Sequence, residues 1–153
     1  MTSITIDIEI DRPIDIVWEE LRHIERHVTW MSDAQRIEFN SDQREGVGTT
    51  FDCYTKIAVF STRDVMTITR WEPPMAMGVT HHGLVTGRGE FALRDIDGST
   101  HLHWSEELDF PWWFGARLGE WCARPVLRRV WRKNLENLAV IVEDSTDKGS
   151  PTA

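Results

Sequence analysis

Leu102, Trp104, Glu106 and Leu108 alternate with polar neighbours, and the run continues into Phe110-Pro111-Trp112-Trp113-Phe114. A period of two places those four side chains on one face of a strand. A carboxylate in that apolar series is costly unless it is paired, hydrated or neutralised. Burial favours the neutral form of a carboxyl, and such groups serve as general acids or bases. Glu106 is therefore the first candidate for acid–base work. The structural alternative is an ion pair with Arg117 or Arg124 further along the chain. A bulge at Glu106-Glu107 would turn the side chain the other way.

His81 shares the phase of Met77 and Val79 and is the second candidate, as proton donor or ligand partner. Its bland alternative is a hydrogen-bonded rim residue beside the His82-Gly83 turn. His101 and His103 lie on the face opposite Trp104, at a spacing that can chelate a metal. The sequence supplies no third ligand beside them, so no metal site is expected. Tyr54, the single tyrosine, has outward parity.

The elements that must hold these residues are legible from periodicity. Residues 3–11 alternate as a half-buried strand, and Asp11-Arg12-Pro13 opens a helix carrying Ile14, Val17, Trp18 and Leu21. A short helix follows over 24–27. Strands are predicted at 35–39, 49–57, 61–71, 75–81, 84–94 and 100–108, the last two joined by an Asp95-Ile96-Asp97-Gly98 hairpin turn. A long helix then starts near Pro111. One apolar stripe runs Phe114, Leu118, Trp121, and another runs Leu127, Trp131, Leu135, Leu138, Val142. Pro125 sits at the change and is expected to kink or divide the helix. Residues 144–153 read as a flexible tail.

Composition narrows the function. The chain has 153 residues, enough for one domain with one core. Eight tryptophans suit a broad apolar cavity or interface. The net charge of −8 opposes sequence-independent nucleic-acid binding. It is unevenly spread: Trp112–Val142 carries +4 and the remainder −12, which predicts a basic helix lying on an acidic sheet. Two cysteines without a CxxC spacing exclude a disulfide scaffold and a thiolate zinc site, and fit a reduced cytoplasmic protein. The alternating N-terminus is not read as a signal peptide, and no apolar run reaches membrane-spanning length.

Several motifs in order carry a resemblance. They are Arg12-Pro13 with Val17-Trp18, Trp30 after the short helices, Gly46-Val47-Gly48-Thr49, and Trp71-Glu72-Pro73-Pro74. Gly98, Thr100, Leu102 and Trp104 then precede a long helix. Over residues 3–142 the chain resembles the START-like, or SRPBCC, superfamily, and most of all its polyketide cyclase/dehydrase-like branch. That resemblance implies an α+β helix-grip fold over 1–143. A curved antiparallel sheet of about seven strands would wrap a long C-terminal helix, with two short helices after the first strand. It also implies a deep cavity for lipids, polyketides or aromatic metabolites, and no cofactor. The superfamily has no universal catalytic motif, so it transfers no catalytic residue.

Strand parity proposes the cavity wall. Phe51 and Cys53 share one inward phase, Met66 and Ile68 another, Met77 and Val79 a third. Phe91 shares a face with Gly87 and Gly89, where missing side chains would leave room for a ligand. Trp104 stands beside Glu106. Trp30, Leu118 and Trp121 are expected to complete the pocket, with Trp112-Trp113-Phe114 as a gate over the mouth. The expected role is carrier or sensor of an apolar small molecule. A cyclase or dehydratase using Glu106 and His81 is the alternative. A membrane or partner-binding module acting through the basic helix and Trp112-Trp113 is the third reading. No stable membrane insertion is expected, and a homodimer stays open.

Overall fold

The computed structural model describes residues 1–113 and 123–145 with their side chains, and residues 114 and 116–122 by backbone alone. Strand β1 (Thr2–Ile10) is followed by helix α1 (Ile14–Arg22), a 3-10 turn (Ile24–Arg26) and helix α2 (His27–Trp30). Six strands follow: β2 (Ala34–Phe39), β3 (Thr50–Ile57), β4 (Phe60–Glu72), β5 (Ala76–His82), β6 (Thr86–Ile96) and β7 (Ser99–Asp109). A 3-10 turn (Trp112–Phe114) leads into helix α3 (Ala116–Asp144). This is the helix-grip arrangement.

The strands form one antiparallel sheet in the order β1-β7-β6-β5-β4-β3-β2. Strands β2 to β7 are a meander, and β1 returns to close its far edge against β7. The β6–β7 hairpin turns through Asp97 and Gly98, both with positive φ, which suits the two-residue turn that matches strand twist. Strand β6 starts at Thr86 rather than 84. There its partner β7 ends at Asp109, and the preceding Val85 N–H faces Asp64 Oδ1 at 3.4 Å instead.

Helix α3 lies across the concave face and packs mainly along β1. Its second apolar stripe is buried: Leu127, Trp131, Leu135, Leu138 and Val142 meet Ile4, Ile6, Ile10 and Leu102 of β1 and β7. Burying each such leucine or isoleucine contributes about 1.5–3 kcal/mol. Helical backbone runs unbroken through Pro125, so the expected division into two helices does not occur. The helix lies on the sheet as expected, but among the described residues its basic side chains take no part in that contact. Arg124, Arg128, Arg129, Arg132 and Lys133 are all exposed, because the apolar stripe faces the sheet.

One polar cluster anchors the helix. Asn134, fully buried, donates from Nδ2 to Asp33 Oδ1 at 2.6 Å, and its Oδ1 accepts from the Ser32 backbone N–H at 2.9 Å and hydroxyl at 3.0 Å. The Trp131 indole donates to Asp33 Oδ2 at 3.3 Å. These bonds satisfy a carboxylate that would otherwise be costly at that depth.

Candidate functional site: a cavity with a carboxylate–imidazole pair

Between the sheet and α3 lies a cavity of about 870 Å³. That is at the upper end of small-molecule sites, which run from about 300 to 1,000 Å³. Cross-strand rows build its floor. One row runs Glu106, Gly89, Val79, Ile68 across β7, β6, β5 and β4. The next runs Trp104, Phe91, Met77. Phe51 and Cys53 of β3 and Met66 of β4 extend the wall. His27, Met31 and Asp33 close it near α2, and Leu127 and Trp131 form the helical side. Phe60, Leu84, Phe110 and Trp113 reach it from the loops and the strand ends beside them.

Glu106 is the polar centre. Only 5 % of it is exposed. The Trp104 indole N–H donates to its Oε1 at 2.8 Å, and His81 Nε2 lies 3.1 Å from its Oε2. An indole N–H can only donate, so Oε1 is fixed as an acceptor. The other oxygen, Oε2, faces His81 and is the one placed to share a proton with it. One proton can then reside on Oε2 or on Nε2 of the imidazole, both in the cavity wall. The pairing of Glu106 with Arg124 is not found, since Arg124 is exposed. The Arg117 side chain lies outside those described. No bulge interrupts the pairing of β7 with β1 or β6 near Glu106, so strand parity alone carries this side chain inward.

Gly89 explains how the carboxylate fits. It stands directly opposite Glu106, and a Cβ built on it would lie 2.2 Å from Oε1, 2.5 Å from Cδ and 2.6 Å from Oε2. The space it vacates belongs to the carboxylate, not to a ligand. Gly87 departs further from expectation. It has φ of +147°, its absent Cβ would meet the Glu107 carbonyl oxygen at 2.0 Å, and it does not line the cavity. It serves the sheet backbone.

Two more expected contacts move. Trp30 is buried against His27 and Phe91, with ring centroids 4.9 and 6.1 Å away, and lies behind the wall rather than on it. Trp112 points to solvent with 85 % exposure, while its neighbour Trp113 touches the cavity. The 3-10 turn that contains both presents them in different directions, which strand or helix parity could not foresee. The side chains of Phe114, Leu118 and Trp121 lie outside those described.

Sequence reasoning missed His27, Asp33 and Asp64 in the lining. His27 is buried, and its Nε2 hydrogen-bonds the Leu21 carbonyl at 2.7 Å, which makes Nε2 the protonated nitrogen. Burial holds its pKa down to about 4, against the smaller opposing effect of that hydrogen bond. Asp64 accepts from the Thr62 hydroxyl at 2.8 Å as well as from Val85. Burial also pushes the Cys53 thiol up to about 11, with the Thr55 contact opposing it. Among the described lining residues there are carboxylates but no lysine or arginine.

The family model for polyketide cyclase/dehydrase and lipid transport proteins matches residues 1–143. The chain belongs to that family. None of the curated proteins matches it. Among solved structures, a Thermus thermophilus protein superimposes with a TM-score of 0.79 at 13 % identity, covering 95 % of this chain and 99 % of that one. The Zhui aromatase/cyclase of Streptomyces sp. R1128 gives 0.76 at 16 % identity, with coverages of 97 % and 99 %. A conserved Geobacillus kaustophilus protein gives 0.74 at 14 % identity, with coverages of 94 % and 97 %. Likeness at these identities shows the shared fold. Family membership itself supports a role with apolar ligands or in cyclisation.

Proposed function

We propose that this protein holds an uncharged apolar molecule, aromatic or polyketide-like, in the cavity between the sheet and α3. The supporting observation is the 870 Å³ space walled by Phe51, Met66, Met77, Val79 and Phe91, with Glu106 and His81 as its hydrogen-bonding pole. A cavity that size returns about 25 cal/mol per Å² of apolar ligand surface buried. The carboxylates in the wall disfavour a ligand carboxylate, so anionic lipids rank below neutral ligands. The protein should bind the neutral probe N-phenyl-1-naphthylamine with a blue-shifted emission, and 2-naphthol should displace it. Val79→Trp fills the centre of the floor and should weaken probe binding at least tenfold. Absence of probe binding, or its survival in the folded Val79→Trp variant, would overturn this reading.

The second reading is a cyclase or dehydratase. It is favoured by one observation: Glu106 meets the His81 imidazole at the cavity surface, and among the described residues no arginine pairs with it. In this reading the pair removes a proton from a substrate carbon or delivers one to a leaving hydroxyl. Turnover of an aromatic polyketide substrate that survived Glu106→Gln would reject it.

A further inference from the structure

The outer face of the sheet carries a second constellation. His101 and His103 stand two residues apart on β7, and Asp7 of β1 pairs with His103 in register. Asp7 Oδ1 lies 2.8 Å from His101 Nε2 and 2.7 Å from His103 Nδ1. All three ligand atoms fall within 4.8 Å of one another. Strand order creates this group. The third ligand is distant in sequence and arrives only because β1 closes the sheet against β7.

We propose that Asp7, His101 and His103 form a surface site for a divalent late first-row transition ion, with Zn2+ as the ordinary occupant. Two imidazoles and a carboxylate are the donor set such ions prefer. Two ligands held about 2.1 Å from an ion at the tetrahedral angle are about 3.4 Å apart. The Asp–His separations of 2.8 and 2.7 Å are hydrogen bonds, so an ion entering the triangle displaces both and spreads the three partly exposed side chains by roughly 0.6–0.7 Å. Both imidazoles already turn a nitrogen to the same carboxylate oxygen, which gathers the three ligands on one patch of the sheet. Ala92 of β6 lies opposite His103, and its short side chain leaves that flank open. Glu9 stands opposite His101 on β1 and adds negative charge; Arg94 stands opposite His101 on β6 and opposes it. Solvent supplies the remaining positions, since Asp7 is half exposed. An ion here would staple the edge strand β1 to β7. The site faces away from the ligand cavity, so it does not depend on the function proposed above.

The test is calorimetric titration of the untagged full chain with ZnCl2, with MgCl2 as control, and thermal unfolding with and without Zn2+. One Zn2+ per chain should bind, Mg2+ should not, and the melting temperature should rise with Zn2+. His101→Gln, His103→Gln and Asp7→Asn should each weaken Zn2+ binding at least tenfold and abolish the thermal shift. All three positions are at least partly exposed, and circular dichroism identifies any variant that does not fold, leaving the others to decide. No Zn2+ binding to the folded protein, or binding unchanged in the folded variants, would overturn the proposal.

Discussion

Replacing Gly89 by alanine tests the central claim about the cavity, that this glycine exists to admit the Glu106 carboxylate. The new methyl would stand 2.2–2.6 Å from three atoms of that carboxylate. Contacts so short force a displacement. The carboxylate ends a flexible side chain, but Trp104 holds one oxygen and His81 the other. Moving it breaks both bonds. A hydrogen bond to a charged group contributes about 1.5–3 kcal/mol. Water entering the cavity recovers part of that, and alanine gains about 0.4–1 kcal/mol over glycine through the unfolded chain. The net expectation is a loss of about 1.5–3 kcal/mol. For a chain of this length that is a fall in Tm of roughly 3–12 °C.

The decisive assay is a double-mutant cycle in urea with Gly89→Ala, Glu106→Ala and both together. Removing the Glu106 side chain removes the clash. In that background Gly89→Ala should be neutral or stabilising by up to about 1 kcal/mol. The coupling between the positions should therefore be about 1.5–4 kcal/mol. The unpaired Trp104 indole is common to both arms of that comparison and cancels. Equal cost of Gly89→Ala in the two backgrounds would refute the argument, because the glycine would then serve backbone conformation or ligand space instead.

Three further outcomes follow from the buried polar groups. His27 has a folded pKa near 4, below the ordinary histidine value. The unfolded chain thus takes up a proton that the folded chain refuses, so stability falls as pH drops from about 6.5 to 4, by about 3 kcal/mol at most. Urea midpoints across pH 4–7 should show this slope, and His27→Gln should flatten it. With its pKa raised to about 11, Cys53 stays protonated near neutrality. In a Cys122→Ser background its reaction with a disulfide reagent at pH 8 should be about a hundredfold slower than that of a free thiol, and slower again with N-phenyl-1-naphthylamine bound. Asn134→Leu leaves Asp33 without its donor at 2.6 Å. Guanidinium unfolding should show a loss of about 2–4 kcal/mol, whereas Asp33→Asn together with Asn134→Leu should recover part of it.

Much of this molecule was legible because strand parity is a strong signal. Glu106, His81, Phe51, Cys53, Met66, Ile68, Met77, Val79, Phe91 and Trp104 all reach the cavity wall, and each was placed there by counting alternate positions along a strand. What parity could not supply was distance across the sheet. It put Gly87 and Gly89 on one face but could not say that Gly89 lies against a carboxylate and Gly87 against a carbonyl. It found Glu106 and His81 separately, yet their meeting depends on the lateral offset of β5 and β7 across β6. Outside the strands the signal fails. Of the expected gate, Trp113 touches the cavity while Trp112 faces solvent from a 3-10 turn, and Trp30 ends a four-residue helix too short to show a periodicity. Asp33 and Asn134 gave no sign of each other, being about a hundred residues apart and joined only by the docking of α3.

Strand β7 shows how one register decides two chemistries. Trp104 and Glu106 face the cavity, and His101 and His103 face outward, because even and odd positions part at every pleat. The pairing of β7 with β1 runs without a shift from Thr2 opposite Leu108 to Ile10 opposite Thr100. A slip of one residue would carry Asp7 away from the imidazoles and turn Ile4 and Ile6 off the core. That register is protected by the burial of Ile4, Ile6, Ile10 and Leu102 under α3, far more strongly than by any bond within either site. Substitutions at Asp7, His101 or His103 should therefore leave the cavity face intact. Truncating Ile6 to alanine should instead loosen β1 and disturb both faces together, with a loss of about 2–5 kcal/mol in stability. Zn2+ binding and N-phenyl-1-naphthylamine binding would then fall in parallel as urea is raised, although the two ligands meet opposite sides of the sheet.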